Sequence, residues 1–200
     1  MTDAVAARRP LTLAIVLIVT GAIGWYAAFA LTLDKLAVLQ NPQADLDCNF
    51  SVIVQCGVNL GSWQGALLGF PNPLLGLGGF VAPIAVGVAM LAGATFARWF
   101  WIALNVGVLG AFAFILWLAY QSVFNLGTLC PWCMLVWSVT IPMFWALTLG
   151  NARAGLFGPR LQPLGERLYP WVPAITVLGY VLIALVAQLR LDVLATLLIR

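Results

Sequence analysis

The chain has 200 residues, 64% of them hydrophobic and 8% charged, with nine Lys or Arg, six Asp or Glu and no histidine. So few charges cannot cover a water-soluble globule, in which about a quarter of residues are charged, and the missing imidazoles exclude His-ligated zinc or haem and His-based catalytic triads. A dispersed net charge of +3 leaves no nucleic-acid footprint, so the composition is that of an integral membrane protein in a lipid bilayer.

Residues 1–10 carry Arg8-Arg9 ahead of the first uncharged run, Leu11–Leu33. A hydrocarbon core of about 30 Å needs about 20 helical residues, so this run predicts a first span. A cleaved signal peptide is the competing reading, but the run is long for one and ends in no A-x-A-like site. An outer loop over 34–73 follows, containing Cys48 and Cys56 with seven residues between them. Within it, Gly57–Phe70 is too short and glycine-rich to span and predicts an interfacial or re-entrant cap helix. The dense apolar stretch Leu74–Ala97 predicts the second span. Trp99–Ala152 holds 54 uncharged residues, enough at about 1.5 Å per residue for two antiparallel helices joined by a turn over 121–128. A cytoplasmic loop is expected over 151–167, and a fifth transmembrane helix, Leu168–Leu189, within 168–200. The predicted fold is an all-α integral membrane protein, with a four-helix catalytic bundle over 11–150 and one further helix. No run alternates as a barrel strand would.

Five spans put the termini on opposite sides, and the positive-inside rule chooses the sides. A cytoplasmic N-terminus places Arg8, Arg9, Arg98, Arg153, Arg160 and Arg167 inside, against Lys35, Arg190 and Arg200 outside. Asp34, Asp45, Asp47 and Asp192 then also lie outside. All four cysteines fall on the outer face, with Cys130-Pro-Trp-Cys133 at the mouth of the fourth span.

Cysteines facing an oxidising compartment suggest two disulfides, either structural or redox-active. A C-x-x-C loop is so short that a staple there removes little chain entropy, whereas the same spacing recurs in dithiols that cycle. A four-thiolate zinc site is a third reading, although the Cys48/Cys56 spacing is too wide for a zinc ribbon. Thr128 is the expected helix N-cap, which would place Cys130 in the first turn, where the helix dipole favours a thiolate. Cys130 would then face the aqueous loop and Cys133 the apolar interior. Asp45 and Asp47 flank Cys48 and read as solvated loop charges whose field disfavours a thiolate there. Asn72, between Pro71 and Pro73, is placed at the membrane surface near the cysteines.

Cys48 and Cys56 with their spacing, Ser62, the Pro71-Asn72-Pro-Leu-Leu-Gly segment and Cys130-Pro-Trp-Cys133 resemble the vitamin K epoxide reductases and their bacterial homologues. The likeness covers roughly residues 11–150. DsbB-type oxidases also couple two cysteine pairs to a quinone, but carry the C-x-x-C pair in the first loop. The resemblance implies a four-helix bundle around a quinone (menaquinone, ubiquinone or phylloquinone), with Cys133 beside the ring and Cys130 resolving it and exchanging with Cys56. Cys48 would meet a separate thioredoxin-like, DsbA-like partner, since the sequence has no fused domain of that kind. Asn72 is similar to the family's quinone-binding asparagine and Ser62 to the hydroxyl that steadies the cap; Leu126 and Trp137 complete the expected quinone contacts. Trp137 stands where the vertebrate enzymes carry a tyrosine, which points to a respiratory quinone rather than vitamin K epoxide. The implied setting is the bacterial inner membrane with the cysteines on the periplasmic side. The alternatives are a vitamin K reductase proper and a non-enzymatic scaffold with structural disulfides.

Overall fold

The computed structural model describes residues 11–198; residues 1–10, with Arg8 and Arg9, and Arg200, all used in the charge count, lie outside the described residues. Helix α1, Leu11–Gln40, outruns the expected span by seven residues and carries Asp34 and Lys35 within it. Nothing between Leu33 and Gln40 breaks a helix, and the stop comes only before Pro42, whose ring disfavours helical geometry at the residue ahead of it. Lys35 turns its ammonium back to donate to the Leu60 carbonyl at 2.6 Å.

The cap is two short pieces, α2 (Gly57–Gly61) and a 3₁₀ turn (Trp63–Ala66), divided at Ser62. The second span is also divided, into α3 (Pro73–Gly79) and α4 (Val81–Leu91), and it stops six residues before the expected Ala97. Pro83 has no N–H to give the carbonyl of Gly79, which accounts for the break. Gly93, at φ +87°, turns the chain.

Helix α5, Arg98–Tyr120, runs on as a π-helical turn, Gln121–Leu126, so most of the expected 121–128 turn is helical. Gly127, at φ +68°, ends it. Helix α6, Pro131–Arg153, is the most enclosed span. After α7 (Gln162–Leu168) and a 3₁₀ turn, α8 (Val172–Leu191) forms the fifth span and α9 (Val193–Leu198) follows it. The fifth helical stretch thus begins before the expected Leu168, inside the segment read as a loop. Among the described residues, five helical stretches are long and apolar enough to cross a membrane.

Helix α1 packs against α4 and α6, and α5 and α8 each pack against α6. Small residues allow the closest approach. A Cβ on Gly87 would lie 2.7 Å from an Ile18 side-chain carbon and 2.8 Å from the Ala14 carbonyl. Such contacts are how helices gain packing energy where lipid is as apolar as the core. Helix α8 is held less closely: Val177, Leu178, Val181 and Leu182 are exposed, and Tyr180 donates to the Ser138 carbonyl of α6.

Candidate active site

Two chain segments far apart in sequence are stitched together above the bundle. Val54 and Leu129 form a parallel bridge, with Leu129 N–H donating to Ile53 O at 2.7 Å and Gln55 N–H to Leu129 O at 3.1 Å. Asn49 braces the outer loop from within, its Oδ1 accepting from Cys56 N–H at 3.0 Å and Gly57 N–H at 3.3 Å. Cys48 and Cys56 are joined by a disulfide, while Cys130 and Cys133 are free.

The bridge sets Cys130 Sγ 3.2 Å from Cys56 Sγ. Both residues are fully buried and Cys48 is 4% exposed. Cys130 therefore does not face an aqueous loop, as the sequence suggested; it closes the inner end of a three-cysteine cluster. Leu31, Leu46 and Leu60 wall that cluster.

The N-cap expectation is also corrected. Cys130, not Thr128, caps α6: its backbone is extended and its Sγ accepts the Cys133 N–H at 3.4 Å. Pro131 occupies the first helical position, where a missing N–H costs nothing. Thr128 is drawn away because its hydroxyl donates to Asn59 Oδ1 at 2.5 Å. The Cys133 thiol beside Cys130 lowers the Cys130 pKa, helped by the backbone N–H groups of Cys133 and Trp132, against burial and the Asp34 charge, which raise it. A lowered thiol pKa means a thiolate at lower pH, and the thiolate is the nucleophile.

Cys133, one turn inward, opens onto a cavity of about 670 Å³ between the cap and helices α1, α3, α4, α5 and α6. Ser62, Asn72, Leu126 and Trp137 line the same cavity. The structure therefore brings Cys133 and these four residues to one space and sets Cys48, Cys56 and Cys130 just outside it. Ser62 Oγ donates to Asn59 O at 2.8 Å and accepts from Gly65 N–H at 3.3 Å, which holds the cap's bend. The Asn72 amide donates to Gln64 O at 2.6 Å and accepts from Leu67 N–H at 3.1 Å. Trp137 is buried.

Asn59, Asp34 and Gln121 were not singled out by the sequence. Asn59 is the hub of the polar roof: its Nδ2 donates to Ser122 Oγ at 2.9 Å while its Oδ1 takes the Thr128 hydroxyl. Gln121 Oε1 accepts from Asn125 at 2.5 Å and from Gln64 at 3.4 Å. A carboxylate oxygen of Asp34 lies 3.3 Å from Cys48 Sγ. The one available signal for all three was a polar residue in an otherwise apolar stretch, and it gives no partner. The rest of the cavity is apolar apart from Thr140, with Leu75, Ala82, Gly107, Val108 and Phe114 among its walls. A flat, largely apolar ring with two oxygens fits such a space.

The profile of the Vitamin K epoxide reductase family matches residues 15–148, well over half of the chain. This chain belongs to that family, which is one of membrane thiol–disulfide oxidoreductases and quinone reductases. No curated protein matches the chain in sequence.

Proposed function

We propose that the protein oxidises a separate thioredoxin-like, DsbA-like dithiol outside the cytoplasm and delivers the two electrons to a membrane quinone. The 3.2 Å approach of Cys56 Sγ to Cys130 Sγ, with Cys133 on the cavity wall, carries the reading. It offers a continuous sulfur path from a loop to an apolar chamber.

The partner's thiolate attacks Cys48 Sγ, the Cys48–Cys56 bond breaks and Cys56 leaves as a thiolate. The partner's second thiol then releases Cys48 and departs as a disulfide. Cys56 attacks Cys130 of the Cys130–Cys133 disulfide, forming a Cys56–Cys130 disulfide and freeing Cys133 on the cavity side; Cys48 then attacks Cys56, which re-forms the outer disulfide and frees Cys130. A quinone bound in the cavity supplies a two-electron, two-proton acceptor. Cys133 presents its sulfur to that acceptor, and Cys130 re-forms the inner disulfide. The second amide hydrogen of Asn72 and the Trp137 indole N–H supply donors for ring oxygens, while Ser62 holds the cap and Leu126 closes the wall. The thiols and water at the mouth are the proton sources, since the chain has no histidine. Menaquinone, ubiquinone and phylloquinone all present this ring chemistry. The site is assigned to the periplasmic face of a bacterial inner membrane, with the N-terminus cytoplasmic.

Purified protein in detergent, given a small dithiol, is expected to reduce a short-chain ubiquinone or menaquinone, followed by the loss of quinone absorbance. Cys133→Ala should bring the rate to background. Full activity in that variant contradicts the reading.

A further inference from the structure

The outer disulfide is asymmetric in its surroundings. Cys56 Sγ faces Cys130 Sγ at 3.2 Å, within the leucine wall that both outer cysteines share. Cys48 Sγ faces the Asp34 carboxylate at 3.3 Å. Asp34 reaches this place because α1 continues past the expected end of its span, and its charge extends to Cys130 as well. Asp45 and Asp47 sit nearer in sequence, but the described contact to the Cys48 sulfur is from Asp34. Of the other charged groups at hand, Asp47 lies near enough to act electrostatically on Asp34, and its carboxylate adds to the negative potential around it. Lys35 is committed to the Leu60 carbonyl.

We propose that Asp34 is a positioning residue that selects which sulfur of the outer disulfide is attacked, making Cys48 the sulfur that is attacked and Cys56 the sulfur that leaves. The inference rests on the electron path proposed above and adds what selects the point of entry into it. When an outside thiolate attacks Cys48 Sγ, the Cys48–Cys56 bond breaks and the electron pair departs on Cys56, within reach of Cys130. In the reverse event the Cys130 thiolate attacks Cys56 Sγ, the same bond breaks and the pair must depart on Cys48. That charge would appear 3.3 Å from a carboxylate. Like charges at such a distance disfavour each other, and exchange slows as the leaving thiol becomes harder to ionise. The same charge slows every event in which Cys48 leaves, its release by the partner's second thiol included, so it selects the sulfur attacked first and not the overall direction of electron flow.

The test is the pH profile of iodoacetamide alkylation at each cysteine of the fully reduced, full-length protein, read by peptide mass spectrometry. Cys48 should become reactive at higher pH than Cys56. Asp34→Asn should move the Cys48 profile down by about one pH unit, or about tenfold in rate at neutral pH, and Asp34→Glu should leave it near wild type. A Cys48 profile unmoved by Asp34→Asn, or moved as far by Asp34→Glu, overturns the proposal. Quinone reduction by the wild-type protein is measured in parallel. Its absence counts against the electron path itself, whereas normal turnover with an unmoved Cys48 profile counts against Asp34 alone.

Discussion

The two cysteine pairs face opposite surroundings although their nearest sulfurs almost touch. Cys48 and Cys56 sit in a loop held by Asn49 and by the bridge to Leu129, with a carboxylate at one sulfur. Cys130 and Cys133 sit at the start of the most enclosed helix, one capping it and the other on the wall of an apolar cavity. A loop pair can be offered to a protein partner; a helix pair holds a fixed distance to a ligand. The difference teaches that the relay is built by surroundings rather than by the cysteines, which are chemically alike at the outset. The Val54–Leu129 bridge and the Asn59–Thr128 hydrogen bond from the cap keep the pairs in register.

That contrast can be broken on one side at a time. Cys56→Ala should reduce transfer from a protein dithiol to background while sparing quinone reduction by a small membrane-permeant dithiol; equal loss with both donors would remove the shuttle role. A smaller effect, on stability, is expected from Asn59→Leu. It strips partners from Ser122 and Thr128, each worth about 1–3 kcal/mol when left unpaired, so thermal unfolding in detergent should come several degrees earlier. Gly87→Ala should cost about 2 kcal/mol by forcing α4 off Ile18 and Ala14, and should disturb the cavity more than the outer disulfide. At the small end, Val177→Ala on the exposed face of α8 should stay within about 0.5 kcal/mol of wild type. A large loss there would show that this face packs against protein rather than lipid.

The spans were legible because absent charge is a strong signal: the uncharged runs from Leu11, Leu74 and Trp99 all coincide with membrane-length helical stretches, continuous or divided. Helix ends were less legible. Asp34-Lys35 looked like a boundary, but a helix need not stop where its membrane-crossing part does. Gln121–Leu126 looked like a turn, yet its amides bond within a widened helical turn and to the cap. Thr128 has the local features of an N-cap but loses the role to Cys130, because its hydroxyl is taken by Asn59, 69 residues away. That is a tertiary override of a local preference, and no window on the sequence contains it. The C-x-x-C motif located the inner pair in the chain, but its burial against Cys56 depends on the Val54–Leu129 bridge, which neither segment announces.

The central claim is the hand-over between Cys56 and Cys130, and it has a direct test. A Cys48→Ala/Cys133→Ala variant retains only those two cysteines. Mild oxidation of the purified protein should convert it to the intramolecular Cys56–Cys130 disulfide, mapped by mass spectrometry of non-reduced peptides. Two persistent free thiols under those conditions, or only intermolecular disulfides, would contradict the account.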